Sequence, residues 1–300
     1  MDSVQLTIQK VGLQSLIQDN GRTGYQSYGV PISGVMDKSS AKIANWLVGN
    51  PDNTPVLEMT LIGATIQFSD AIQIAITGGD LSPKINGHRV AMYETLKVKS
   101  GDTLSFGRVI NGCRAYLAIR GYWQVNSWLG SSSASSFKGN ILTPESILEQ
   151  DQTLQIIPLL PIIKKIYPID KRPIFQNTTR VRVLAGPEFK HFSQEAIGFF
   201  FSKGYKIQAN SNRMGYRLNG TIYNFTSPPP LISSGIIPGT IQITSAGQPI
   251  ILLADAQTTG GYYRLANVIQ ADMDKLAQLK PNDTIWFSLV TLEEAYEANR

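Results

Sequence analysis

Apolar and polar residues alternate with a period of two along most of the chain. The runs "TIQFSD" (65–70), "IQIAIT" (72–77), "ETLKVKSGDTLSFG" (94–107) and "CRAYLAIRG" (113–121) follow one another closely. They are rich in β-branched residues and separated by Gly, Asp and Asn, which reads as strands joined by turns. The second half repeats the pattern in "RVRVLAG" (180–186), "GTIQIT" (239–244), "PIILLAD" (249–255) and "DTIWFSLV" (283–290). Short strands at this spacing predict barrels or sandwiches rather than alternating βαβ units.

Helical periodicity is confined to a few places. "KSSAKIANWLVGN" pairs Ile43 with Leu47 and Ala44 with Val48; Asp37 precedes it as a candidate cap, and Gly49 stops it ahead of Asn50-Pro51. "EFKHFSQEAIGFFFSKG" carries Phe189, Phe192, Ala196 and Phe199 at helical spacing and ends at Gly204. "DMDKLAQL" predicts a third, short helix capped by Asp272. The fold expected is mainly β with a few short helices.

"IIPLLPIIKKIYPIDKRPIF" holds Pro158, Pro161, Pro168 and Pro173, a density that a central strand does not tolerate. It reads as a linker or an edge excursion between halves of nearly equal length. The predicted domains are 1–165 and 166–300, with an approximate boundary open to strand crossover. The halves echo each other: "SGDTLSFG" (100–107) resembles "PNDTIWFS" (281–288), and "DQTLQI" (151–156) is a looser third copy.

Composition narrows the function classes. The chain has 300 residues, of which 42% are apolar, and a net charge of +5. Charged residues make up 16%, below the roughly 25% usual in soluble domains, which suits a surface partly covered by a partner. No Lys/Arg run, basic helix or zinc spacing accompanies the charge, so nucleic-acid binding is not expected. The single cysteine, Cys113, sits in an apolar run and reads as a buried thiol in a reducing compartment. "MDSVQLTIQKVG" lacks a basic and apolar leader, and no run approaches the roughly 20 apolar residues of a membrane span. A soluble, cytoplasmic protein is expected.

Four polar, glycine-dense segments are candidates for chemistry. "QDNGRTGYQSYGVPISGVMD" (18–37) places Arg22 among Gly21, Gly24, Gly29 and Gly34, whose backbones can approach a ligand closely. An arginine there suits a carboxylate or phosphate; the alternative is an ordered loop held by Asp19 and Arg22. "NSNRMGYRLNG" (210–220) sets Arg213 and Arg217 about Gly215, able to face one anion if the segment is helical. "SSGIIPGTIQITSAGQP" (233–249) offers Gln242 as a polar ligand. "LLADAQTTGGYYRLANVI" (252–269) ends an apolar strand in Asp255, followed by Gln257, Thr258, Thr259, Gly260, Gly261 and Tyr262, a plausible substrate rim. Asp255 could act as a base, orient Arg213 or cap a turn. No GxxxxGK[ST] phosphate loop occurs, and His88 and His191 lack ligand spacing, so no metal site is expected.

Taken in order, "QDNGRTGYQSYGVPISGVMD", "NPDNTPVLEMTLIG", "AITGGDL", "RAYLAIRGYW", "VRVLAGPE", "NRMGYRL", "GIIPGTIQI", "GQPIILLADAQTTGGYYRLANVI" and "LAQLKPNDTIWF" resemble the biotin-dependent carboxyltransferase/allophanate hydrolase subunit 2 family. That family includes the C subunits of 5-oxoprolinase and KipA-like regulators, and the resemblance covers nearly the whole chain. It implies tandem cyclophilin-like β-barrel domains and a partner of the KipI/5-oxoprolinase B-type. A third hydrolase subunit would complete ATP-dependent opening of the 5-oxoproline lactam to glutamate.

Carried over by position, Gln18, Asp19, Gly21, Arg22 and Gly24 form one motif, and Arg213, Met214, Gly215 and Arg217 a second. Asp255, Gln257, Thr258, Gly260, Gly261 and Tyr262 form the third. The expected roles are anion contacts for Arg22 and Arg213, orientation or proton transfer for Asp255, and backbone donors at Gly260 and Gly261. ATP with magnesium is implied at the level of the complex, and the isolated chain is expected to be inactive. The alternatives are a KipA-like regulator without turnover, or a carboxyltransferase module in which biotin serves a urea carboxylase-like system. There are departures. The segment "GSSSASSFKG" lacks the Arg and Thr that family members often carry there, "NILTPESILEQDQ" replaces the Gly-rich stretch and Gly-Arg that follow, and Tyr263 stands where Gly-Gly-Tyr-Pro has its proline.

Overall fold

The computed structural model describes residues 3–135, 143–222 and 231–299. It divides into two compact units: residues 1–22 with 33–175, and residues 23–32 with 176–300.

In the first unit, a seven-stranded sheet runs in the order Gly121–Trp123, Thr153–Pro158, Val4–Lys10, Thr65–Phe68, Thr103–Ser105, Lys84–Ile85, His88–Arg89. A five-stranded sheet runs Gln14–Gln18, Val56–Thr60, Asn111–Ile119, Ile72–Asp80, Thr95–Val98. One core joins them, with Leu6, Ile8, Ile66 and Phe68 from the first sheet meeting Leu57, Ile74, Ile76, Leu117 and Ile119 from the second. The run 113–119 shows how alternation builds two interfaces at once. Ala115, Leu117 and Ile119 face that core, whereas Tyr116 and Ala118 face helix α1, Lys38–Val48.

Helix α1 begins where expected. The Asp37 carboxylate accepts from the Ser40 N–H at 2.8 Å and from its hydroxyl at 2.6 Å, and Gly49 ends the helix in the left-handed conformation at φ 69°. Beneath it, the Tyr116 hydroxyl accepts from the Asp37 N–H at 2.8 Å and donates to Glu58 at 2.9 Å. Burial, reinforced by the neighbouring Glu58 and Asp37 charges, raises the Tyr116 pKa well above the ordinary tyrosine value, which keeps the hydroxyl a neutral donor.

In the second unit, seven strands run in the order Tyr205–Lys206, Thr284–Leu289, Thr178–Ala185, Tyr263–Val268, Thr240–Ile243, Pro249–Leu252, Gly215–Arg217. The two end strands meet: Ile207 bridges Leu218, the Gln208 N–H donates to the Arg217 carbonyl, and the Asn219 N–H donates to the Lys206 carbonyl. The sheet therefore curls onto itself, which satisfies both edges and makes the unit barrel-like.

Three local expectations change. The Phe189–Phe199 stretch is not one helix. A 3₁₀ turn, Phe189–His191, precedes α2, Gln194–Phe201, because the Ser193 hydroxyl caps the Ala196 N–H and restarts the helix. Phe200, not Phe199, is then the fully buried aromatic, stacked on Phe287 with ring centroids 4.8 Å apart. Asp272 stands at the N-cap position of α3, Met273–Ala277, yet its carboxylate makes no cap bond. It is drawn instead to the Arg182 guanidinium, by bonds of 2.8 and 3.0 Å, and to the Lys275 ammonium. Finally, the proline-dense segment stays with the first unit to Phe175, about ten residues past the predicted boundary. Gln73, Thr95 and Arg120 hold its backbone at Ile162, Lys165 and Leu160.

Candidate functional site

Gln18, Asp19, Gly21 and Arg22 of the first motif lie in the first unit, at the end of strand Gln14–Gln18, whereas Gly24 belongs to the second. Its polar groups are directed at the serine-rich segment that follows Trp128. The Asp19 carboxylate accepts from the Gly21 and Ser132 N–H groups at 2.8 and 2.7 Å, and from the Ser131 and Ser133 hydroxyls at 2.6 and 2.5 Å. Arg22 meets the same segment with its donors, reaching the carbonyls of Trp128 at 3.2 Å, Ser133 at 2.5 Å and, more weakly, Ser131 at 3.4 Å. Its guanidinium also lies 5.4 Å from the Trp128 ring centroid.

Acid and base thus grip one loop from both sides. Arg22 is only 2% exposed, and this geometry makes it a clamp on protein carbonyls rather than an open anion contact. Gln18 is fully buried; its amide nitrogen donates to the Ala134 carbonyl at 3.0 Å, and its carbonyl oxygen has no hydrogen bond among the described residues. Gly21 and Gly24 adopt φ values of 81° and 91°, and an added Cβ at Gly24 would meet open space. Of the divergent segment, residues 136–142 fall outside the described residues. The flanking Thr143 and Ser146 hydroxyls donate to the Ser133 and Ser132 carbonyls.

The second and third motifs come together in the second unit. Asn212 turns the chain, its side chain accepting from the Met214 N–H, and the strand Gly215–Arg217 pairs with Pro249–Leu252. Gly215 is required by that pairing, since a Cβ would stand 2.9 Å from the Ile251 carbonyl oxygen. Pairing carries on past the strands: the Leu253 and Asp255 N–H groups donate to the Met214 and Arg213 carbonyls.

This register sets the two side chains against each other. Arg213 Nε donates to Asp255 at 2.8 Å and Nη2 to its other oxygen at 3.1 Å, a two-pronged pair in which each side chain is 1% exposed. Arg213 lies in the turn and Arg217 is exposed on the strand, so the helix that would have aimed both at one anion does not form.

Beyond Asp255 the chain rises to an open rim. Gln257 and Tyr262 are exposed, and Thr259–Gly260 pairs with Ser234–Gly235 as a two-stranded ribbon. The Thr258 carbonyl accepts from the Ile236 N–H at 3.0 Å. Gly260 lets the buried Gln242 amide come close: a Cβ there would sit 2.7 Å from Gln242 Nε2. At Gly261 the corresponding contact is the Leu231 carbonyl oxygen at 3.1 Å. The rim therefore combines backbone and hydroxyl donors and acceptors, fastened below by a buried ion pair.

A second ion pair, which sequence reasoning misses, anchors the ribbon. Arg264 donates to both Glu188 oxygens, at 2.8 and 2.6 Å, and to the Gly235 carbonyl at 2.9 Å. The partners lie 76 residues apart, so no local pattern marks them. Tyr263, beside it, fills the family's proline position by packing edge-on against His191 and Phe192, at centroid distances of 5.8 and 6.3 Å.

Hydrogen bonding from Arg264 outweighs burial and holds Glu188 below the usual carboxylate range. A carboxyl depressed in the folded state adds stability above its unfolded pKa, about 4.3, and loses it as pH falls through the folded value. Glu188→Gln is expected to lower stability by about 1 kcal/mol at pH 7. The gap should close as urea midpoints are followed below about pH 4; a gap constant down to pH 2 would show that ionisation of Glu188 does not matter.

Among the described residues, no group of three or more His, Cys, Asp or Glu side chains is placed to hold a metal ion, and no helix is long and apolar enough to cross a membrane.

Comparison with known proteins adds a family. The model for the carboxyltransferase domain, subdomain A and B, matches residues 28–289. The chain is 37% identical over 298 residues to the C subunit of 5-oxoprolinase from Escherichia coli (strain K12), covering 98% of this chain and 94% of that protein. It is 34% identical over 316 residues to urea amidolyase of Saccharomyces cerevisiae, covering 95% of this chain and 16% of that protein. The crystal structure of the K. lactis urea amidolyase superposes with a TM-score of 0.89 at 32% identity, over 97% of this chain and 19% of that one.

Proposed function

The chain belongs to the carboxyltransferase domain, subdomain A and B, family, and from that premise we propose that it serves as the C subunit of an ATP-dependent 5-oxoprolinase. The observation that carries this reading is the extent of likeness. The match spans 94% of the E. coli 5-oxoprolinase protein, whereas it spans 16% of the yeast urea amidolyase.

The chemistry asked of such a complex is the opening of a lactam, an amide made unreactive by resonance. Attack by water at its carbonyl carbon puts negative charge on the carbonyl oxygen, and donors held in place beforehand stabilise that charge. In this chain those donors are the Gly261 backbone N–H and the Thr258 and Thr259 hydroxyls, the Gly260 N–H being taken up by the ribbon pairing with Ser234. Gln257 and Tyr262 stand at the same rim. Both Asp255 oxygens are engaged by Arg213, which suits Asp255 to orientation rather than proton transfer. Arg213 and Asp255 are thus positioning residues beneath the rim.

ATP and magnesium belong to the level of the complex in this reading. This chain has no GxxxxGK[ST] phosphate loop, and its described residues hold no group of three or more His, Cys, Asp or Glu placed for a metal ion, so no step is derived through ATP or magnesium. The similarity to urea amidolyase supports a second reading, a carboxyltransferase module that accepts a carboxyl group from biotin.

The test is glutamate release from 5-oxoproline and ATP by this chain mixed with its co-encoded B-type and hydrolase subunits. Activity that needs all three proteins is the expected result. A stable complex that releases no glutamate would overturn it in favour of a KipA-like regulator. Carboxyl transfer from biotin to urea would favour the second reading.

A further inference from the structure

The proline-dense segment carries a feature that the candidate site does not use. Leu160, Ile163, Ile166 and Ile169 recur at every third residue and are 67%, 91%, 55% and 79% exposed. Ile157 begins the series at 43% exposed; Ile174, off the repeat, is 84% exposed. A repeat of three is that of polyproline II, and the two residues flanking the short 3₁₀ turn have its angles: Pro168 at φ −55°, ψ 136° and Arg172 at φ −69°, ψ 137°.

The opposite side is fastened to the first unit. Gln73 brackets the Ile162 N–H and carbonyl with bonds of 2.8 and 2.7 Å, and Thr95 does the same for Lys165 at 2.9 Å each. The fastened positions are also three residues apart. The result is a ridge, anchored on one side and aliphatic on the other. Soluble surfaces seldom leave so many large aliphatic side chains open in one row.

We propose that this ridge is the docking surface for a partner protein of the same complex, which receives it in an apolar groove rimmed by carboxylates. This rests on reading the chain as one member of a multi-subunit assembly. Charge selects the partner: residues 157–174 hold Lys164, Lys165, Lys171 and Arg172 against the single acid Asp170, and with Lys164 paired to Glu94 at 2.8 Å the segment still carries more cations than anions. Lys165 and Arg172 are bound to the Trp46 and Tyr167 carbonyls, which leaves their charge uncompensated. Two copies of the ridge would bring like charges together, whereas an acidic rim would be attracted. A lipid surface is disfavoured because an extended backbone keeps N–H and carbonyl groups that hydrocarbon cannot satisfy.

The experiment compares the full chain with the double variant Ile163→Asp/Ile169→Asp in binding to the co-encoded B-type protein. Ile232→Asp, at a 93% exposed position of the second unit, is the control. The ridge variant is expected to bind at least about 30-fold more weakly, with an unchanged melting temperature, while the control binds as wild type. Raised salt should weaken the wild-type complex.

Equal weakening by both variants, undiminished binding by the ridge variant, or no association of the wild-type pair would overturn the proposal. So would ridge-dependent dimers of the chain alone or ridge-dependent binding to phosphatidylserine vesicles. A complex that requires the ridge yet releases no glutamate would remove the 5-oxoprolinase reading and leave the docking surface standing.

Discussion

Asp255→Ala is expected to lower stability by about 3–5 kcal/mol, because it leaves the Arg213 guanidinium buried without its carboxylate. Loss of activity in this variant would therefore not show that Asp255 takes part in chemistry. The informative comparison is with Arg213→Met/Asp255→Leu, which removes both charges and fills similar volume. Replacing a buried pair in this way is often neutral or stabilising, so urea unfolding of the double variant should return to within about 1 kcal/mol of wild type. Its turnover within the assembled complex then becomes the readout. A stable, inactive double variant would show that the pair orients the Asp255–Tyr262 rim. An Asp255→Ala chain as stable as wild type would refute the account of the pair.

Asp19→Ala is expected to cost about 3 kcal/mol by loosening the first unit's serine loop. The carboxylate takes four hydrogen bonds, two from backbone N–H groups and two from hydroxyls, and hydrogen bonds to a charged acceptor contribute about 1.5–3 kcal/mol each without adding fully. Amide exchange at Ser132 should rise sharply, since its N–H donates directly to the lost carboxylate. Arg22→Lys should reproduce part of the effect, because an ammonium keeps the charge but cannot reproduce the planar fork that reaches Trp128 and Ser133. Unchanged exchange at Ser132 in Asp19→Ala would show that the loop is held by other contacts.

The echo between the halves shows what local sequence determines. In Lys99–Asp102 and Lys280–Asp283 the fourth residue's carboxylate accepts from the first residue's N–H, at 2.8 and 3.1 Å, while its own N–H returns to the first carbonyl. Glu149–Gln152 builds the same turn with an amide in place of the carboxylate. In each, the third residue is left-handed: Gly101, Asn282 and Asp151, at φ 83°, 74° and 64°. These are contacts over three residues, so the sequence carries them in full, as it does the Asp37 cap and the period-two strands.

By itself the sequence determined the β architecture, the first helix with both its ends, and which segments are too polar to be core. The tertiary structure decided what those polar segments do. Asp19 and Arg22 look like a ligand loop until residues about 110 positions away arrive to occupy them. Arg213 looks like a free cation until strand pairing sets Asp255 against it, 42 residues on. The division has one cause: alternation, capping and turn chemistry act within a few bonds of backbone. A charged side chain takes its role from whichever partner the fold brings to it, and that partner is chosen by sheet register rather than by nearness in the chain.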